Sequence, residues 1–222
     1  MGDVIVVRDL VKRFNDRVEV LNGLAFSIAA GDFVAVYGKS GCGKTSLLNI
    51  LGGLDRPTSG HVSIEGEDIV DMSEDDLARL RLNKVGFVFQ DYNLLNNLTV
   101  RENIEMPLKF SGKADGDRVD YLQEIFGIGH VSNDTANRIS GGEAQRTAIA
   151  RAMMNEPSII LADEPTGNLD DENAENVMEM FQLARREFGT TIVLATHDSQ
   201  LAKHASRAMH LRDGKINDET QR

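Results

Sequence analysis

The stretch Gly38-Lys39-Ser40-Gly41-Cys42-Gly43-Lys44-Thr45-Ser46 constrains this chain more than any other. It fits the spacing G-x-x-x-x-G-K-[ST], between an apolar run from Phe33 to Tyr37 and a helix-like run from Leu47 to Leu51, and that spacing needs a strand before it and a helix after it. Gly38, Gly41 and Gly43 let the backbone turn its N–H groups inward on a polyphosphate, and the positive end of the following helix aims at the same point. In that frame Lys44 holds the β- and γ-phosphates of a nucleoside triphosphate such as ATP, and the Thr45 hydroxyl ligates Mg²⁺. Ser40, Cys42 and Ser46 belong to the same cradle. The spacing alone says no more than that a nucleoside triphosphate binds. A Gly-rich turn with a surface lysine is the plainer alternative, and the flanking strand and helix argue against it.

The rest of the chain reads as strands alternating with helices. Val85 to Phe89, Ser158 to Ala162 and Thr191 to Ala195 are short apolar runs of the kind buried on both faces, and a helix is expected over Asn173 to Phe188. This pattern argues an α/β fold with a mostly parallel sheet covered on both sides. At the N-terminal edge, Val4 to Val11 and Leu21 to Ile28 suggest a small antiparallel sheet, with a polar loop from Lys12 to Asp16 between them. Phe14 is the apolar side chain in that loop: it either stacks on a purine ring or plugs the strand end. Ser46 to Leu54 reads as a helix, His61 to Glu65 and Asp68 to Val70 as a hairpin around Gly66, and Ser73 as the cap of a further helix. From Asp91 to about Asn155 the pattern is mostly helical, with breaks at Ser111-Gly112, Gly127 to Gly129 and Ser140 to Gly142, which suggests a helical subdomain. After Ala208 to Leu211 and a turn at Arg212 to Lys215, the polar tail is expected to be mobile.

Two strands deliver polar groups at their carboxyl ends, where open α/β sheets bind ligands. Asp163 is placed to hold Mg²⁺ and Glu164 to polarise an attacking water. His197, after Thr196, either contacts the γ-phosphate or is structural. Elsewhere, Ile139-Ser140-Gly141-Gly142-Glu143-Ala144-Gln145-Arg146 opens a helix with a second anion-binding nest. One nucleotide does not need two nests in one site, so a head-to-tail pair, each protomer lending this loop to its partner, is the economical solution. A plain helix N-cap at Ser140 is the alternative.

Composition narrows the function classes. Net charge is −11 and the isoelectric point about 4.9, the wrong sign for a broad grip on a phosphate backbone, so no nucleic-acid partner is expected. Cys42 is the single cysteine, which excludes an internal disulfide. Beside Lys44 and a helix N-terminus its thiolate is favoured, so alkylating Cys42 either blocks nucleotide binding or has no consequence. No apolar run approaches the roughly 18 residues needed to cross a bilayer, and Met1-Gly2-Asp3-Val4 does not open a signal peptide, so a cytosolic location is expected.

Taken together these motifs resemble the nucleotide-binding subunit of an ATP-binding cassette (ABC) transporter over nearly the full length. The matching residues are the phosphate loop (Gly38 to Thr45), the glutamine loop (Gln90), the signature (Ser140 to Arg146), the second acidic motif (Asp163, Glu164), the D-loop (Asn168, Leu169, Asp170) and the switch histidine (His197). The resemblance implies one domain over residues 1–222: a phosphate-loop, RecA-like core with an N-terminal antiparallel β subdomain and a helical subdomain inserted at about 91–155. It implies a homodimer sandwiching two ATP molecules, with Ser140, Gly141 and Gly142 at the γ-phosphate across the interface and Asp170 close by. It further implies catalytic roles for Glu164, His197, Lys44 and Gln90, and Thr45, Gln90 and Asp163 around Mg²⁺. Phe14 stands where the family has a base-stacking aromatic, usually Tyr; Glu143 and Ala144 stand where Gln is common. Segments such as Phe87 to Leu95, Glu102 to Leu108 and Leu161 to Asp170 are similar to the MacB and LolD group, whose tasks include macrolide or peptide efflux and lipoprotein release. The resemblance therefore implies an ATPase peripheral on the inner face of the cell membrane, driving separate membrane subunits, with Leu94, Leu95 and Leu98 either lining their docking groove or packing in the core. A soluble ABC ATPase acting on DNA, ribosomes or cluster assembly is the alternative.

Overall fold

The computed structural model describes residues 2–14, 18–112 and 115–221. The chain opens with strands β1 (Asp3–Phe14), β2 (Val18–Ala29) and β3 (Phe33–Tyr37), then helix α1 (Lys44–Leu51) and the hairpin β4 (Ser59–Ile64) and β5 (Glu67–Asp68). Helix α2 (Glu74–Asn83) leads into β6 (Val85–Phe89), followed by α3 (Val100–Ser111), α4 (Gly116–Ile125) and α5 (Gly141–Met153). The last part comprises β7 (Ile159–Asp163), α6 (Asp171–Phe188), β8 (Thr191–Thr196), β9 (Arg207–Arg212) and β10 (Lys215–Gln221).

Two sheets result. A four-stranded sheet in the order β2-β1-β4-β5 is antiparallel throughout, as the alternation near the N-terminus predicts. The second sheet has six strands in the order β10-β9-β3-β8-β7-β6, parallel except for the closing β9–β10 pair. Strand side chains alternate between faces, so β3 sends Phe33 and Ala35 one way and Val34 and Val36 the other, and all are fully buried. The Val34 face joins a cluster with Leu47, Leu48 and Leu51 of α1 and with Ile5, Leu10 and Ile28 of the antiparallel sheet, so α1 lies packed between the two sheets. The Phe33 face is continuous with Val100, Ile104, Val119, Leu122 and Phe126 of the helical segment and with Phe181 of α6. The helices after β6 therefore share an apolar core with the sheet that carries the phosphate loop.

Local chemistry sets the boundaries. Thr99 and Ser140 start α3 and α5 with reciprocal capping boxes to Glu102 and Glu143, Ser73 accepts from the Asp76 N–H at the head of α2, and Gly112 ends α3 in the left-handed region. Three expectations are corrected. Helix α1 begins at Lys44 rather than Ser46, because Gly43 at φ 107° turns the chain directly into it. It stops at Leu51 rather than Leu54: Gly52 presses on the Phe87 ring, where a Cβ would come within 1.9 Å, and Gly53 at φ 63° turns the chain away. The polar tail is strand β10, hydrogen-bonded to β9 across a turn at Asp213 (φ 50°) and Gly214 (φ 72°). The loop expected from Lys12 is also shorter, since β1 continues through Phe14; Asn15 and Asp16 lie outside the described residues.

Candidate active site

The phosphate loop runs from the end of β3 into α1. Gly38 is required by close approach, since a Cβ there would lie 2.3 Å from the Leu211 carbonyl oxygen. Gly43 combines its positive φ with a second close approach, 2.8 Å from a Cβ to the Val20 carbonyl oxygen. Lys44 is 6% exposed, and its Nζ donates to the carbonyls of Gly38 (2.9 Å) and Lys39 (3.4 Å). The same ammonium lies 3.3 Å from Glu164 Oε1. Cys42 is half-buried, packed against the apolar cluster around α1.

Strand β7 ends in two acids with different surroundings. Burial pushes the Asp163 carboxyl above its ordinary range; the Thr45 hydroxyl, hydrogen-bonded to it, and the Lys44 charge act against this, and the Glu164 charge adds to it. Asp163 Oδ1 is buried without a hydrogen-bond partner. Glu164 turns out of the strand at φ 47°, with its N–H bonded to the Ala195 carbonyl at 2.9 Å. A non-glycine residue there carries a conformational cost of about 1–3 kcal/mol, and the result is a side chain directed over the phosphate loop. Its Oε2 accepts from the His197 N–H (3.2 Å) and lies 2.8 Å from His197 Nδ1. Glu164 thus stands between Lys44 and His197.

A cleft of about 450 Å³ is lined by Ser40, Gly41, Gly43, Lys44, Thr45 and Ser46 of the loop, with Gln90, Glu164 and His197 from three strand ends. Val20 and Gly167 also line it; neither was legible as a site residue. Gly167 is needed so that the Gln90 amide can lie close, with a Cβ only 3.1 Å from Gln90 Nε2. Asn168 Nδ2 donates to the Gln90 carbonyl and to Asp91, tying the loop after β7 to the loop after β6.

The structure does not bring the remaining candidates to this cleft. Ser140, Gly141, Gly142, Asp170 and Phe14 do not line it, and neither do Gly38, Cys42 and Asp163, which belong to the phosphate loop and to the strand end beside it. Ser140 caps α5: its N–H and hydroxyl both donate to Glu143 Oε2, at 2.8 and 2.7 Å, and those bonds hold the Glu143 carboxyl below its ordinary range. Asp170 caps α6 by accepting from the Asn173 N–H and Nδ2 at 2.9 and 2.8 Å. Asn173 also faces the signature, its Oδ1 2.9 Å from where a Gly142 Cβ would sit. Signature and D-loop are therefore neighbours; Asn168 is bonded to Gln90 at the edge of the cleft, while Ser140, Gly141, Gly142 and Asp170 do not line it. Phe14 is 45% exposed beneath the Lys12 ammonium, which excludes the core-plug alternative. Leu95 is 46% exposed, which excludes core packing for that residue.

Residues 21–167 match the protein family described as ABC transporter. The chain belongs to that family. Among relatives of this cassette, the lipoprotein-releasing system ATP-binding protein LolD 1 of Rhodopseudomonas palustris is 42% identical, over 97% of this chain and 99% of its own. The macrolide export ATP-binding/permease protein MacB of Syntrophobacter fumaroxidans is 45% identical over 98% of this chain but 32% of its own length. The cassette thus spans about a third of the MacB relatives it matches. Its fold matches the dimeric ATP-binding cassette MJ0796 in a post-hydrolysis state bound to ADP and Pi, with a TM-score of 0.89 and 37% identity over 98% of this chain and 99% of that one. Among the described residues, no helix is long and apolar enough to cross a membrane.

Proposed function

We propose that this cassette, a single domain with its helical portion at about 91–155, binds and hydrolyses ATP and drives a transporter through separate membrane subunits. The observation that carries this reading is the Glu164 carboxylate, held by His197 and Lys44 over the phosphate loop. In the nucleotide-free chain Lys44 is engaged with loop carbonyls and Glu164. ATP replaces those partners with its β- and γ-phosphates, which frees Glu164 to receive a proton from water. That water attacks the γ-phosphorus in line, the bond to the β-bridging oxygen breaks with its electron pair leaving on ADP, and inorganic phosphate is released. His197 orients Glu164 and reaches the γ-phosphate.

The acid pair fits a divalent cation. Asp163 Oδ1 is a buried carboxyl oxygen without a hydrogen-bond partner, and the same carboxyl is bonded to the Thr45 hydroxyl. Asp163, Thr45 and Gln90 would hold Mg²⁺, which when bound neutralises charge on the β- and γ-phosphate oxygens. Because Ser140, Gly141, Gly142 and Asp170 lie away from the cleft, they act on a second copy's nucleotide in a head-to-tail homodimer, the arrangement that makes use of both nests. Phe14, exposed at the end of β1, is the adenine-stacking residue. The names of the LolD and MacB relatives support a lipoprotein or macrolide cargo; a peptide cargo and a position on the inner face of the membrane are part of the same proposal.

A split between two variants tests this assignment. Lys44→Ala weakens ATP binding itself, whereas Glu164→Gln retains binding and loses turnover. Unchanged nucleotide affinity in Lys44→Ala, or wild-type turnover in Glu164→Gln, contradicts it.

A further inference from the structure

Lys12 is a buried ammonium, and lysines are seldom buried unless paired. It is 9% exposed, and its Nζ donates to Asp55 Oδ1 and to the Arg56 carbonyl, each at 2.7 Å. Both acceptors belong to the turn that follows α1, which the Leu54 and Asp55 N–H groups tie back to the Asn49 carbonyl within the helix. An ammonium has three donors. With two committed, Lys12 Nζ also lies 5.0 Å from the centre of the Phe14 ring, within the range at which the negative face of an aromatic holds a cation. Lys12 and Phe14 are two apart on β1 and so share one face of the sheet. Across the ladder Phe14 pairs with Val18 and Lys12 with Leu21. Between those partners lies Val20, which lines the nucleotide cleft. A Cβ on Gly43 of the phosphate loop would meet the Val20 carbonyl oxygen at 2.8 Å and Leu21 Cδ2 at 3.0 Å. The cation and the ring therefore stand on the strand pair against which the phosphate loop packs.

We infer that Lys12 is a positioning residue for the nucleobase: it covers one face of the Phe14 ring and, through Asp55, ties that ring to the far end of α1. A purine then stacks on the other face at a fixed distance from the phosphates. This rests on the reading of Phe14 as the adenine-stacking residue and adds what holds that ring in place. Helix α1 begins at Lys44, in the phosphate loop, and its eight residues span about 12 Å. It meets the nucleotide at both ends, with Lys44 and Thr45 in its first turn and with the chain Asp55, Lys12, Phe14 after its last. Without the ammonium, Phe14 is a side chain 45% exposed at the end of a strand, and a base stacking on it has first to order it. The turn itself does not depend on Lys12. The Thr58 N–H donates to the Val11 carbonyl at 2.8 Å, and the Arg13 N–H donates to Thr58 Oγ1 at 2.9 Å, so β1 and the turn stay joined when the ammonium is removed.

Isothermal titration of the full chain without divalent cation, where no turnover intervenes, compares ATP with ribose 5-triphosphate, which keeps the sugar and phosphates and lacks the base. Stacking is expected to make the wild-type chain prefer ATP about tenfold, and Phe14→Leu to remove that preference. Lys12→Met keeps the apolar stem and loses the charge. It is expected to lower ATP affinity about three- to tenfold, the scale of a partly desolvated cation–ring contact, with ribose 5-triphosphate affinity unchanged. Asp55→Asn leaves the ammonium and weakens its anchor, and is expected to shift the same ratio in the same direction by less. In a Phe14→Leu background, Lys12→Met should change neither affinity further. A salt bridge with a structural role alone would weaken both ligands alike. Equal weakening of both ligands in Lys12→Met and in Asp55→Asn, unchanged ATP affinity in Lys12→Met, or an effect of full size in the Phe14→Leu background overturns the inference. The two readings separate cleanly. An ATP preference that survives Phe14→Leu removes the stacking assignment and the Lys12 role with it, whereas a preference lost in Phe14→Leu and kept in Lys12→Met removes only the Lys12 role.

Discussion

At the scale of single residues, the two acids ending β7 are neighbours in sequence and opposites in environment. Glu164 is served on both oxygens by Lys44 and His197, whereas Asp163 is buried with one oxygen unpaired. Replacing Glu164 with Gln is expected to lower turnover about 10²- to 10⁴-fold, the usual worth of a positioned base, with ATP affinity retained in equilibrium titration. Asp163→Asn should behave differently. A carboxyl whose folded-state pKa is raised by burial contributes stability while protonated and loses it as pH rises past its ordinary value near 3.8. At neutral pH the substitution removes that cost, so the nucleotide-free chain is expected to gain about 1–3 kcal/mol in denaturant unfolding while ATP hydrolysis is lost. A lower unfolding midpoint for Asp163→Asn would contradict the orphaned carboxylate. The placement of both acids at the end of β7 was legible in the sequence because an apolar strand leads straight into them. Their contrast in surroundings was not, since the groups that meet them, Thr45 and Lys44, are more than a hundred positions away.

At the scale of elements, the parallel strands were legible almost to the residue, because a strand buried on both faces is a continuous apolar run bounded by polar groups. Strand β10 was not, because its residues are polar and its order comes from ladder hydrogen bonds to β9 rather than from apolar side chains. Helix caps lie between these cases. Ser140 was read both as a cap and as an anion nest, and in the isolated chain it is the cap. Ser140→Ala is therefore expected to cost about 1 kcal/mol of stability in addition to its effect on dimerisation, measurable by chemical unfolding without nucleotide. The carboxylates of Glu143 and Glu102 are held below their ordinary value near 4.5 by these caps. Such groups contribute stability above that value and lose it as pH falls through their folded-state pKa. Acid titration of wild type should thus show unfolding setting in below about pH 4.5, and Glu143→Gln should flatten that dependence; an unchanged acid limb would contradict the capping assignment.

At the scale of the whole molecule, the chain carries two glycine nests that lie apart. Its cleft holds the phosphate loop, Glu164 and His197, while Ser140, Gly141, Gly142 and Asp170 do not line it and Gly142 and Asp170 both lie against Asn173. Two copies placed head to tail would bring both nests to one nucleotide, the expectation raised by two glycine nests in one chain. How the two copies meet depends on surfaces rather than motifs, so composition and periodicity carried no signal for it. The most direct measurement is the mass in solution of Glu164→Gln with and without ATP, set beside the wild-type hydrolysis rate as a function of protein concentration. The shared-site account predicts that ATP doubles the mass of the variant and that the wild-type rate rises faster than linearly with concentration. A variant that binds ATP yet stays a monomer, with wild-type activity strictly proportional to concentration, would contradict it.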